Sequence, residues 1–259
     1  MEMRASIRRT GLSLLVFAGI LSGCASAPVT GRQQFLLVSE SDVNQLGAVT
    51  YQKELSGQPI NRNPQQVAQV RRVGERIARV ANRPDYKWEF NVIDEPQTIN
   101  AFALPGGKVA VYSGLLNLGL SDDELAAVMG HEIAHAIAQH SRERVSQEVG
   151  LNLAMSVLGG GRISPATSQL INTAFGIGVE LPFGRRQESE ADLVGLDLMA
   201  RAGYNPEAAL SFWQKMMRAS AGQPRPPQFL SSHPSDEARL AALRAAIPRY
   251  MPIYRQAHR

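Results

Sequence analysis

The sequence predicts a mainly helical α+β fold, with a small antiparallel sheet lying beside one helix that carries paired histidines. Three observations lead there. His131-Glu132-Ile133-Ala134-His135 has the H-E-x-x-H spacing, which on a helix sets two imidazoles on one face about one turn apart. Residues 87–93, 100–104 and 108–112 change to a two-residue period rich in β-formers. Elsewhere apolar residues recur at helical spacing, as Val67, Val70, Val73, Ile77 and Val80 do.

The chain begins with a targeting segment. Arg4, Arg8 and Arg9 precede an apolar stretch over 11–21 that is too short to span a bilayer comfortably. Leu21-Ser22-Gly23-Cys24 follows, with the form of a bacterial lipobox, so residues 1–23 read as a lipoprotein signal peptide and Cys24 as the acylated residue. Acyl chains would hold the protein to a bilayer, each buried CH₂ contributing about 0.8 kcal/mol. Ala25 after the cysteine matches lipoproteins of the outer membrane, on its periplasmic face. Cys24 is the only cysteine, which excludes an intramolecular disulfide. Residues 24–40 read as an extended, lipidated tether and 41–259 as a single domain. The net charge is +4, half of it from the targeting segment, and no basic run is interleaved with aromatics, so nucleic-acid binding is set aside.

Ser41 or Asp42 is placed to cap a first helix to residue 55, and 64–81 gives a second. Three short strands follow, the last two joined by Pro105-Gly106-Gly107. An exposed edge here, at Asn100, Ala101, Phe102 and Ala103, suits pairing with an extended polypeptide. Ser121-Asp122-Asp123-Glu124 forms a capping box and starts the histidine helix, which is expected to run through His140 towards Val149. Gly159-Gly160-Gly161 begins a loop over 159–167, and helices are expected at 168–179, from 188 to 199 or 201, at 205–217, and from Ser235 to about Pro248.

The histidine helix carries the chemistry. Its flanks are apolar (Leu125, Val128, Met129, Ile133, Ile137), so the polar groups among them are buried, which is costly unless they are paired or bound to metal. His131 and His135 can bind one Zn²⁺, and Glu132, projecting at a neighbouring angle, sits where a zinc protease keeps its general base. A third protein ligand is needed. The extension H-E-x-x-H-x-x-G-x-x-H fails, because Ala138 and Ser141 stand where glycine and histidine are required. His140 lies about 140° round the helix from His135 and should point away, as a helix-face residue or a support to a ligand. Glu188, Glu190 and Asp192 compete as the third ligand; Glu188 and Asp192 share a face, which suits a ligand and a carboxylate that orients a ligand.

Here the sequence resembles the HtpX- and Oma-like zinc metalloendopeptidases, relatives of the CAAX prenyl endopeptidases. The matching stretches are His131 to His135, Glu188-Ser189-Glu190-Ala191-Asp192, Asn100 to Gly107, Val111 to Leu115, Ser231-Ser232-His233-Pro234 and Val29-Thr30-Gly31-Arg32. The resemblance implies a gluzincin fold, one zinc held by His131, His135 and Glu188 with Asp192 in support, and Glu132 as catalytic base. It also implies cleavage of damaged or misassembled envelope proteins. The multi-span membrane segments of the prenyl-protein branch have no counterpart, so those substrates are not carried over. His233 reads as a loop-fixing residue, an oxyanion stabiliser, or an occupant of the open metal position. His258, in a polar tail, reads as inert. Two rivals stand beside the peptidase: a chaperone-like or binding lipoprotein whose zinc is structural, and a zinc hydrolase acting on other bonds.

Overall fold

The computed structural model describes residues 24–27, 30–158, 183–222 and 226–258. The signal peptide at 1–23, the loop expected at 159–167 and the helix expected at 168–179 lie outside these residues, as does the side chain of Cys24.

The segment read as a tether is folded. Strands β1 (Cys24–Ser26) and β2 (Gln33–Phe35) pair antiparallel, and Gly31, at φ +68°, turns the loop between them. Helix α1 (Glu40–Ser56) follows. Its N-cap is Ser39 rather than Ser41 or Asp42, the Ser39 hydroxyl accepting from the Asp42 N–H at 3.1 Å. In α2 (Pro64–Val80), Asn63 caps the end, proline occupies the first turn where its missing N–H costs nothing, and Val70, Val73 and Ile77 are buried.

The sheet beside the histidine helix combines strands β3 (Glu89–Ile93), β4 (Ala101–Leu104) and β5 (Lys108–Tyr112) in the order β3-β5-β4. β4 and β5 form the expected antiparallel hairpin, turned by Gly106 and Gly107 at φ +83° and +85°, where only glycine is unstrained. β3 runs parallel to β5, so the sheet is mixed rather than wholly antiparallel. The reason lies in burial. Every residue of β5 is buried, so it takes the centre, and the chain passes from β3 across it to β4 before turning back. Among the described residues β4 is an open edge.

A short helix α3 (Ser113–Leu116) leads to α4 (Asp122–Ile137), which the Ser121–Glu124 capping box starts as expected. α4 is apolar on nearly every side and forms the axis of the core, with α2 and the sheet against it. It does not continue through His140. Gln139 adopts φ +61°, ending the helix, and a separate helix, α5 (His140–Leu158), begins after it. α6 (Arg185–Arg201), α7 (Ala208–Ser220), the short α8 (Gln228–Ser232) and α9 (Glu237–Ala257) complete the described fold. α9 passes through Pro248 and Pro252 instead of ending near Pro248, because Leu240, Leu243, Ile247 and Tyr250 keep one face buried along its length.

α4 and α6 cross at a pair of glycines. A methyl on Gly195 would lie 3.1 Å from the His131 backbone nitrogen, and one on Gly130 would lie 3.3 Å from the Gly195 carbonyl oxygen. Two missing methyls therefore set the spacing of these helices.

Candidate metal centre

α4 presents His131 and His135, as their spacing predicts, with their Nε2 atoms 3.1 Å apart and both residues 2% exposed. α6, brought close by the glycine crossing, presents Glu188, whose Oε1 lies 3.4 Å from His135 Nε2 and whose Oε2 lies 3.5 Å from His131 Nε2. His233, the residue after α8, adds a fourth donor. Its Nδ1 is 3.2 Å from His131 Nε2 and 2.9 Å from Glu188 Oε1. These four donors lie within 4.8 Å of one another and all four residues are buried, a set that can hold a metal ion. Three imidazoles and a carboxylate converging out of water are ligand types that Zn²⁺ and similar divalent metals take, so the donor set fits a metal on its own chemistry.

The ionisable groups of the site perturb one another. Burial opposes a positive charge on His131, but the Asp192 and Glu188 carboxylates outweigh it and raise its pKa to about 9. Burial also opposes ionisation of Glu188, yet hydrogen bonds from His131, His135 and His233 hold it well below the usual carboxylate range. Burial keeps His135 neutral, its pKa well below the ordinary value. Glu132 is different: burial dominates and pushes its pKa up, as a proton carrier requires. Its Oε1 has no hydrogen-bond partner and lies 3.3 Å from His233 Nε2.

The groups that support the candidate ligands were legible only in part. Asp192 Oδ1 lies 3.0 Å from His131 Nδ1, the position of an orienting carboxylate. Arg239 grips both Asp192 oxygens at 2.7 and 2.8 Å, stacks over Trp213 at 3.6 Å, and reaches Glu188 Oε2 at 3.1 Å. Sequence reasoning missed Arg239; the available signal was Asp236 as a helix cap three residues before it. His140 does not point away. Because the chain breaks at Gln139, its Nδ1 meets His135 Nδ1 at 2.9 Å and its Nε2 meets Glu190 Oε2 at 3.1 Å. Glu190 is thereby turned away from the four-donor set. Among the described residues, the hydrogen bond of His258 is local, to the Tyr254 carbonyl oxygen at 3.0 Å.

Beside the donors runs β4. The backbone N–H of Ala103 favours the ionised form of Glu132, and Asn100 Oδ1 is buried without a partner. Of the strand residues Asn100, Ala101, Phe102 and Ala103, it is Ala103 that meets Glu132.

The sequence profile of Peptidase family M48 matches residues 64–247, which include all four donors and Glu132. The chain belongs to peptidase family M48. This M48 member is 38% identical over 179 residues to the mitochondrial metalloendopeptidase OMA1 of Schizosaccharomyces pombe, covering 69% of this chain and 52% of that protein. It is 28% identical over 244 residues to the mitochondrial metalloendopeptidase OMA1 of Homo sapiens, covering 88% and 46%. With the beta-barrel assembly-enhancing protease of Escherichia coli it shares 30% identity over 216 residues, covering 78% and 43%. The chain spans about half the length of the curated relatives it matches. The expected kinship with Oma-like metalloendopeptidases is borne out.

Proposed function

We propose that this M48 member is a zinc-dependent endopeptidase of the bacterial envelope, cleaving unfolded, damaged or misassembled polypeptides. The observation that carries the reading is the buried set His131, His135, Glu188 and His233 with Glu132 beside it and a strand edge alongside. Three nitrogens and a carboxylate suit Zn²⁺, which takes imidazole and carboxylate ligands in tetrahedral sites. When bound, the cation supplies Lewis acidity for the scissile carbonyl and lowers the pKa of a water towards about 7.

The protein's own groups do the rest. His131, His135 and Glu188 are the resident ligands, and Asp192, clamped by Arg239, keeps the His131 ring oriented. Glu132 takes the proton of the attacking water and passes it to the leaving amine. The β4 edge, residues Asn100 to Ala103, pairs with an extended substrate, and Asn100 Oδ1 offers it an unused acceptor. His233 fills the position a water needs, so the resting enzyme is latent until that side chain withdraws. Cys24 carries the lipid anchor, on the periplasmic face of the outer membrane. The lipobox supports this, and among the described residues no helix is long and apolar enough to cross a membrane.

The same closure by four protein donors favours one rival, a chaperone-like or binding lipoprotein with structural zinc, since structural sites leave no open position. Casein hydrolysis separates the two, measured with zinc content for wild type, Glu132→Gln, Glu188→Ala and His233→Ala. The peptidase reading expects cleavage by wild type or His233→Ala, none by Glu132→Gln despite retained zinc, and zinc loss in Glu188→Ala. Zinc bound in wild type, with no cleavage even by His233→Ala, supports the binding protein.

A further inference from the structure

The turn between β1 and β2, at Thr30 to Arg32, reaches the back of the metal centre. Arg32 donates to Glu190 Oε2 from Nε at 2.5 Å, and its two terminal nitrogens grip both Glu143 oxygens at 2.8 Å. The Thr30 hydroxyl donates to the other oxygen of Glu190. Glu190 accepts from His140 Nε2, and His140 Nδ1 faces His135 Nδ1. His140 is wholly buried and the Glu190 side chain is 3% exposed, so water is poorly placed to replace either in the contact between them.

Hydrogen-bond logic fixes the protons along this chain. His135 turns its Nε2 towards the other donors, so binding a metal there requires a free lone pair on Nε2 and a proton on Nδ1. That proton can only be given to His140 Nδ1, which must then be bare. The single proton of neutral His140 therefore sits on Nε2 and is donated to Glu190. Glu190 accepts from His140, Thr30 and Arg32, each of which has a hydrogen to give. Every donor meets an acceptor in one arrangement.

We propose that Thr30 and Arg32 are positioning residues of the metal centre, acting through Glu190 and His140 to hold His135 in its metal-binding tautomer and ring orientation. The proposal rests on the reading that His135 ligates the metal. It makes the N-terminal hairpin a component of the site rather than a leash. The side chains that orient metal-ligating histidines are commonly worth about 10–100-fold in metal affinity, and this chain of contacts does that work with a histidine interposed between ligand and carboxylate.

The test uses the full-length chain in detergent, with zinc affinity measured by chelator competition and the visible spectrum of the Co²⁺-loaded protein as a second readout. His140→Leu removes the acceptor for His135, and Arg32→Met removes the cation at the far end. Both are expected to weaken zinc binding by about 10–100-fold and to change the Co²⁺ spectrum. His140→Asn, whose carbonyl oxygen replaces the Nδ1 acceptor, is expected to recover most of the affinity, which a merely space-filling role would not give. Should His140→Leu fail to fold, Thr30→Val, which is nearly isosteric, and Arg32→Lys, which keeps the charge but loses the guanidinium fork, carry the same test with a smaller loss. Wild-type affinity and spectrum in these variants, with zinc lost in Glu188→Ala, overturns the proposal and leaves the metal site standing. Zinc retained at full affinity in both His135→Ala and Glu188→Ala overturns the ligand assignment itself, and the proposal with it.

Discussion

Replacing Gly195 with alanine tests whether the α4–α6 spacing governs the metal centre. The new methyl would sit 3.1 Å from the His131 backbone nitrogen and 3.3 Å from both the Gly130 carbonyl carbon and the His131 Cα. Ordinary carbon contacts lie at about 3.5–4.0 Å, and the obstacle is helix backbone, which cannot rotate aside. The helices must separate by roughly 0.3–0.5 Å on that contact scale. Metal sites tolerate ligand-distance errors of about 0.2 Å, and Glu188 rides on the displaced helix while His131 and His135 do not. Overpacking should cost about 1–3 kcal/mol in stability, and zinc affinity should fall by an order of magnitude or more, in the range seen when ligand supports are lost. Gly119→Ala is the control. Gly119 has φ +67° and open space around its Cβ position, so it strains the backbone without touching the helix crossing. Chelator competition and melting of the zinc-free protein would be run on both variants. Gly195→Ala binding zinc as tightly as wild type, or weakening it no more than Gly119→Ala does, would refute the spacing argument.

Three further outcomes follow from the geometry. His233→Ala should raise casein hydrolysis by about 10–100-fold if the closed position is favoured by that ratio, and unchanged or lower activity would argue against latency. Glu124 is held below its ordinary pKa of 4.5: burial opposes this, but Lys215, the Ser121 N–H and Ser211 outweigh it. Its contribution to stability is therefore complete above that value and is lost as pH falls through the lower folded value, so melting from pH 7 down to pH 3 should show a steeper acid loss in wild type than in Glu124→Gln. Gln139→Ile places a β-branched residue at φ +61° and should cost about 1–2 kcal/mol, whereas Gln139→Gly should stay within about 1 kcal/mol of wild type; equal melting temperatures for the two would show that the break carries no strain.

The local parts of this fold were legible because local chemistry decides them. Ser121 with Glu124 marks a helix start, Pro105-Gly106-Gly107 marks a hairpin, and helical spacing brings His131 and His135 together wherever the helix lies. What escaped depends on contacts distant in sequence. The parallel pairing of β3 with β5 follows from which strand is most buried, a tertiary outcome. The break at Gln139 has no glycine or proline to announce it, and the expectation that His140 points away assumed an unbroken helix. Arg32 lies 158 residues from Glu190, and Arg239 lies 47 residues from Asp192, so neither could be paired by periodicity. The resemblance supplied Glu188 as the ligand where spacing left Glu188, Glu190 and Asp192 open, and Glu188 is the member of the three in the buried four-donor group.

The shortness of β4 has a consequence for what such an enzyme would recognise. Four residues, Ala101–Leu104, with Pro105 at the far end, offer an edge of about 13 Å. A partner strand must be extended over that length, which a native helix, rising about 1.5 Å per residue, cannot be. Only alternate side chains of the partner would face the protein, so the edge reads backbone shape far more than residue identity. On the proposed function such a surface would act as a conformational filter. It would admit a segment because that segment has lost its fold, and the same segment, correctly packed in its own protein, would be invisible to it.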